Sequence, residues 1–152
     1  MKISILTLLV TFAANTSFSI GFSDRIESIT SVSVAQLENP FESSALVVTR
    51  SISPTDVNEW KAMILRGLKA SEKEPSFSGV AGYLICNSQS DVFAVSVIED
   101  SGIVRVHEVE ASGDKYSIIN SKPIKRGRKH LSNMDLLEKI RVILPRRSSN
   151  AK

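Results

Sequence analysis

The sequence predicts an α+β domain with an antiparallel sheet, in the order strand, helix, four-strand meander, helix. Three observations carry that reading. A β-branched apolar run, residues 44–50, leads straight into an amphipathic helical stretch with its own start signals. Four further β-rich runs are joined by links too short for a parallel crossover. A second amphipathic stripe follows the last of them.

"SALVVTR", Ser44 to Arg50, makes the first strand. In the next stretch Ser53 is the expected N-cap, Pro54 fits the first helical position, and Asp56 completes a Ser-x-x-Asp box. Val57, Trp60, Ile64 and Leu68 then recur at helical spacing, and Pro75 prevents continuation. The meander comprises residues 80–86, 92–98, 103–110 and 115–120, linked by "NSQSD", "EDSG" and "ASGD". A final helix is expected from Ser132, boxed by Asp135, with a stripe of Leu136, Leu137, Ile140, Ile143 and Leu144, ending before Pro145. This order is similar to that of cystatin-like folds, in which a curved sheet wraps one long helix. The similarity is an analogy of topology only, because the Gln-x-Val-x-Gly hairpin of cystatin inhibitors is absent.

Register follows from the centres of the turns. With turns centred near Gln89, between Asp100 and Ser101, and between Ser112 and Gly113, one face carries Tyr83, Ile85, Phe93, Val95, Val97, Val104, Val106 and Ile119. That face is expected against Trp60. The opposite, mixed face carries Leu84, Cys86, Ala94, Ser96, Arg105, His107, Tyr116, Ile118 and Asn120.

Ahead of this domain, Met1-Lys2 and the apolar run Ile3 to Ala14 resemble a secretory signal peptide, residues 1–19, with cleavage expected after Ser19 and Ala13 or Gly21 as alternatives. An uncleaved anchor is the lesser reading, since the run falls short of the roughly 20 residues that span a bilayer. The chain is therefore expected to be secreted or periplasmic. Residues 20–43 read as a mobile arm or marginal edge strand, residues 44–145 as the single domain, and residues 146–152 as a basic disordered tail. Hydrophobic content of 42% and charged content of 23% suit a globular protein, and a lone Cys86 permits no internal disulfide.

Charge is unevenly placed. Residues 20–121 hold 8 Lys and Arg against 14 Asp and Glu, and residues 122–152 hold 10 against 2. The densest run is "KPIKRGRKHL", with Lys122, Lys125, Arg126, Arg128 and Lys129. Pro123 and Gly127 mark it as a loop. It reads as a solvated connector pairing loosely with the acidic body, or as a contact for an anionic protein, a cell-wall polymer or a membrane surface. Dibasic processing and nuclear targeting are lesser readings. Nucleic acid is disfavoured because no stacking aromatic is interleaved.

The rival site is the mixed sheet face, where Ser96, Arg105 and Asn120 form one row and His107 and Tyr116 flank it. A guanidinium, an imidazole, a phenol and an amide there suit a carboxylate or another polar ligand. Catalysis is less favoured. Cys86 and His107 fall on strands separated by a third, too far apart for a dyad. "HEVE" is not a zinc-binding His-Glu-x-x-His, and no phosphate loop, nucleophile elbow or dinucleotide fingerprint occurs, so no metal or cofactor is implied. The chain reads as a small exported binding module of non-catalytic type, with a small-ligand protein or enzyme built on Arg105 and His107 as the alternative.

Overall fold

The computed structural model describes residues 18–39, 41, 44–73 and 79–144, with side chains from residue 21 onwards. Residues 1–17 of the expected signal peptide, Pro75, Pro145 and the basic tail at 146–152 lie outside the described residues. The elements are α1 (Phe18–Glu27), β1 (Ser31–Leu37), β2 (Ala45–Ser51), α2 (Val57–Arg66), β3 (Lys69–Ala70), β4 (Val80–Asn87), β5 (Val92–Ile98), β6 (Val104–Ser112), β7 (Lys115–Pro123), β8 (Lys125–Arg126), β9 (Lys129–Ser132) and α3 (Met134–Ile143).

Helices and antiparallel strands are mixed, as the sequence predicts, but the sheet does not stay open around a helix. Six strands close into a barrel in the order β1-β2-β7-β6-β5-β4, and β3, β9 and β8 form a separate small sheet. Closure removes the cystatin analogy: α2 has only ten residues and lies against the barrel instead of being wrapped by it.

Closure depends on the segment expected to be an arm or an edge. Within residues 20–43, α1 spans the first part, and β1 pairs with β2 on one side and β4 on the other. Val32 and Val34 alternate along β1, and both valines are buried under helices. Between Val34 and Ala35 the register slips, and Thr49 Oγ1 donates to the Val34 carbonyl at 3.1 Å. A bulge of this kind sharpens local twist and helps a small sheet curl closed.

Alternation decides what fills the barrel. Directly paired residues share a face, and one face receives side chains from all six strands: Ala35, Leu37, Leu46, Val48, Tyr83, Ile85, Ala94, Val109, Tyr116 and Ile118 among them. This is the interior. The outer face of β1, β4, β5 and β6 carries Val32, Val34, Leu84, Cys86, Phe93, Val95, Val97, Val104 and Val106, packed against Phe22 and Ile26 of α1, Trp60 and Ile64 of α2, and Leu136, Leu137 and Ile140 of α3.

The expected register is corrected at two turns. The β5–β6 pairing agrees, with Ser96 opposite Arg105 and Val95 opposite Val106. The β4–β5 turn centres half a residue later than expected, between Gln89 and Ser90, because Asn87 pairs with Val92. Tyr83 and Ile85 therefore point into the barrel, and Leu84 and Cys86 join Phe93 outside. The β6–β7 turn centres on Gly113 and Asp114, and a register slip beside Ile119 follows. Ile119 is consequently 63% exposed instead of packed against Trp60.

Helix starts also differ. The Ser53 to Asp56 stretch forms a turn, Asp56 N–H to Ser53 C=O, and α2 begins at Val57 without a side-chain cap. Asn133, not Ser132, caps α3. Its side chain accepts from Leu136 N–H at 3.0 Å and donates to the carbonyls of Met63 and Ile64 at the end of α2. One buried amide thus ties the end of one helix to the start of another. Gly67 permits this, since a Cβ there would sit 2.2 Å from Asn133 Oδ1.

Candidate functional site

The first cluster lies inside the barrel. Ser96 and His107 project inward from β5 and β6, and β7 places Ser121 opposite His107. His107 Nε2 lies 2.7 Å from Ser96 Oγ, and His107 Nδ1 lies 2.6 Å from Ser121 Oγ. A neutral imidazole needs one donor and one acceptor, and a serine hydroxyl can serve as either, so both ring nitrogens are satisfied in either tautomer. Tyr83 from β4 packs beside the imidazole, with ring centroids 5.4 Å apart. Burial, reinforced by the nearby Arg105 charge, lowers the His107 pKa to about 4, so the ring is neutral at physiological pH. Burial also raises the Tyr83 phenol, with Arg105 opposing more weakly.

Arg105 occupies the last β6–β7 rung, opposite Pro123. Its Nε is shut off from solvent, with no hydrogen-bond partner among the described residues. Of the predicted face, Ser96, Arg105 and His107 are brought together. Tyr116 sits inside but five residues along β7 from Ser121, roughly 16 Å at strand rise. Asn120 points outward, opposite Glu108, because the slip beside Ile119 inverts that part of β7. Tyr83 and Ser121 take the places that the sequence reading gave to Tyr116 and Asn120. An inverted β4 face hid the first, and the bulge hid the second.

Cys86 cannot serve His107 as a nucleophile. It is fully buried on the outer face, and burial pushes its thiol up to about 12. Among the described residues, no group of three or more His, Cys, Asp or Glu side chains is arranged to hold a metal ion.

The second cluster is the basic run, which is a hairpin and not a loop. Lys125 pairs with His130 and Arg126 with Lys129 across a turn in which Gly127 takes φ 64°. β9 pairs in turn with β3, and Ile124 and Leu131 are buried in the core beneath. Lys122, Lys125, Arg126, Arg128 and Lys129 are all exposed. Lys129 pairs with Glu72 at 2.5 Å; among the described residues the other four have no ion-pair partner. Lys122 also borders a cavity of about 30 Å³ with Arg25, Val106, Glu108 and Asn120.

No family model matches the chain, and the comparisons with curated proteins and with solved structures found no match either. The two clusters stand on their geometry alone.

Proposed function

We propose that this chain is a small, non-catalytic binding module whose basic hairpin contacts an anionic partner, and that its apolar N-terminal run directs it for export. The observation that supports this is the way the charges are held. Lys125, Arg126 and Arg128 are exposed without acidic partners among the described residues, on a hairpin anchored by Ile124 and Leu131, and Lys122 is exposed likewise at the end of β7. A solvated connector would need no such anchoring. Prior ordering lowers the entropy lost on contact with a partner.

The same anchoring weighs against the two lesser readings. A peptidase or an import receptor that reads extended chain would have to unpair β8 from β9 and withdraw two fully packed side chains. Retention of the full chain on an immobilised polyanion, such as heparin, tests the proposal. The wild type should be retained at low salt and released as salt rises, and the Lys125→Glu/Arg128→Glu variant should flow through while melting normally. Equal retention of both proteins would dismiss the hairpin as the contact surface.

A further inference from the structure

The hairpin charges lie in water, whereas Arg105 is a half-buried cation at the end of the barrel. It carries no salt bridge and no hydrogen bond to any described residue, and its Nε is sealed from solvent. Arg25, Lys115, Lys129 and Lys139 each meet a carboxylate, and Arg141 Nη2 meets the Glu99 carbonyl at 2.6 Å. A buried N–H left without an acceptor is destabilising, and such a group calls for a partner.

Among the described residues the neighbouring rows of the barrel supply none. The paired row containing Arg105 reads Ala35, Tyr83, Ser96, Arg105, Pro123, and the next row carries Ile85, Ala94, His107 and Ser121. None of these is acidic. Tyr83 and His107 are the titratable groups close enough to feel the Arg105 charge, and both are neutral near pH 7. The side-on pair of donors, Nε–H with one terminal N–H, is the edge of a guanidinium that holds two oxygens of a carboxylate or phosphate at once. The position is the last rung of the β6–β7 ladder, beyond which the chain leaves the barrel for Ile124 and the hairpin, so Arg105 lies at the rim and not deep in the packed interior.

We infer that Arg105, framed by Tyr83 and His107 at the barrel rim, binds a small oxyanion, the carboxylate or phosphate group of a small molecule. The site is separate from the hairpin.

Titration of the isotopically labelled full chain with acetate, and separately with inorganic phosphate, tests this at fixed ionic strength, with the Arg105 Nε–H signal followed by NMR. A saturable movement of that signal with either anion, and none with chloride, is expected; the responding anion names the headgroup. Followed at the backbone amides of Tyr83 and His107, which all the variants retain, Arg105→Gln should abolish saturation, and Arg105→Lys, which keeps the charge but loses the fork, should weaken it about tenfold or more. The Lys125→Glu/Arg128→Glu variant should titrate as wild type does. No saturable movement with either anion, or a response lost in the hairpin variant and kept in Arg105→Gln, overturns the inference. Because the wild-type titration is decisive without any variant, misfolding of an Arg105 mutant does not rescue it.

Discussion

His107 has both nitrogens held by serine hydroxyls inside the barrel, so its titration is tied to folding. Its folded pKa, about 4, lies below the ordinary value of 6.5, and the unfolded chain therefore binds the proton more readily. The stabilisation is complete above roughly pH 6.5, declines as pH falls and is gone below about 4; the gap corresponds to roughly 3 kcal/mol. Urea midpoints measured from pH 7 down to 4 should fall accordingly, and His107→Asn should flatten the fall. An equally steep decline in the variant would assign the acid sensitivity to other groups. The imidazole was legible in the sequence as a polar group on a strand. Its burial was not, because burial follows from barrel closure, which no local pattern encodes.

At the scale of elements, the stripes that face the core were readable and the joints between elements were not. Val57, Trp60 and Ile64, like Leu136, Leu137 and Ile140, are buried at the helical spacing that announces them. Ser53 and Ser132 looked like caps, but capping depends on where the helix meets its neighbour, and only Asn133 has the two Met63 and Ile64 carbonyls within reach. Replacing it tests that double duty. Asn133→Ala should destabilise by about 2–3 kcal/mol in chemical denaturation. Asn133→Asp should recover only part, because it keeps the cap acceptor and loses both donors; full recovery would show that the donors are idle. In the strands, a turn displaced by half a residue exchanged Tyr83 with Leu84, and one extra residue at Ile119 exchanged Asn120 with Ser121. The hairpin carries its own prediction. Gly127→Val forces a β-branched residue to φ 64°, costing about 1–2 kcal/mol locally. Polyanion retention should drop while the overall melting temperature changes little; unchanged retention would show that the charges act without the hairpin's shape.

For the whole molecule, the decisive feature is that β1 is bonded on both sides. Hydrogen exchange should show its ladder amides, such as those of Val32 and Val34, protected as strongly as those of β5. Rapid exchange there would return the segment to a loose arm and open the barrel. Closure was hidden in the sequence because Ser31, Ser33 and Gln36 dilute the apolar pattern, and because a ring needs long-range pairings that periodicity does not report. It also has a bearing on aggregation. A closed ring offers an incoming chain no row of free amides and carbonyls, whereas release of β1 would uncover two at once, on β2 and on β4. The β4 and β5 segments beside that opening are long, apolar and nearly uncharged. Destabilisation at Val32 or Val34 should therefore seed fibrils far more readily than an equal loss of stability at Ile64 in α2, and the ring's integrity at that single strand sets how long the unliganded protein stays in solution.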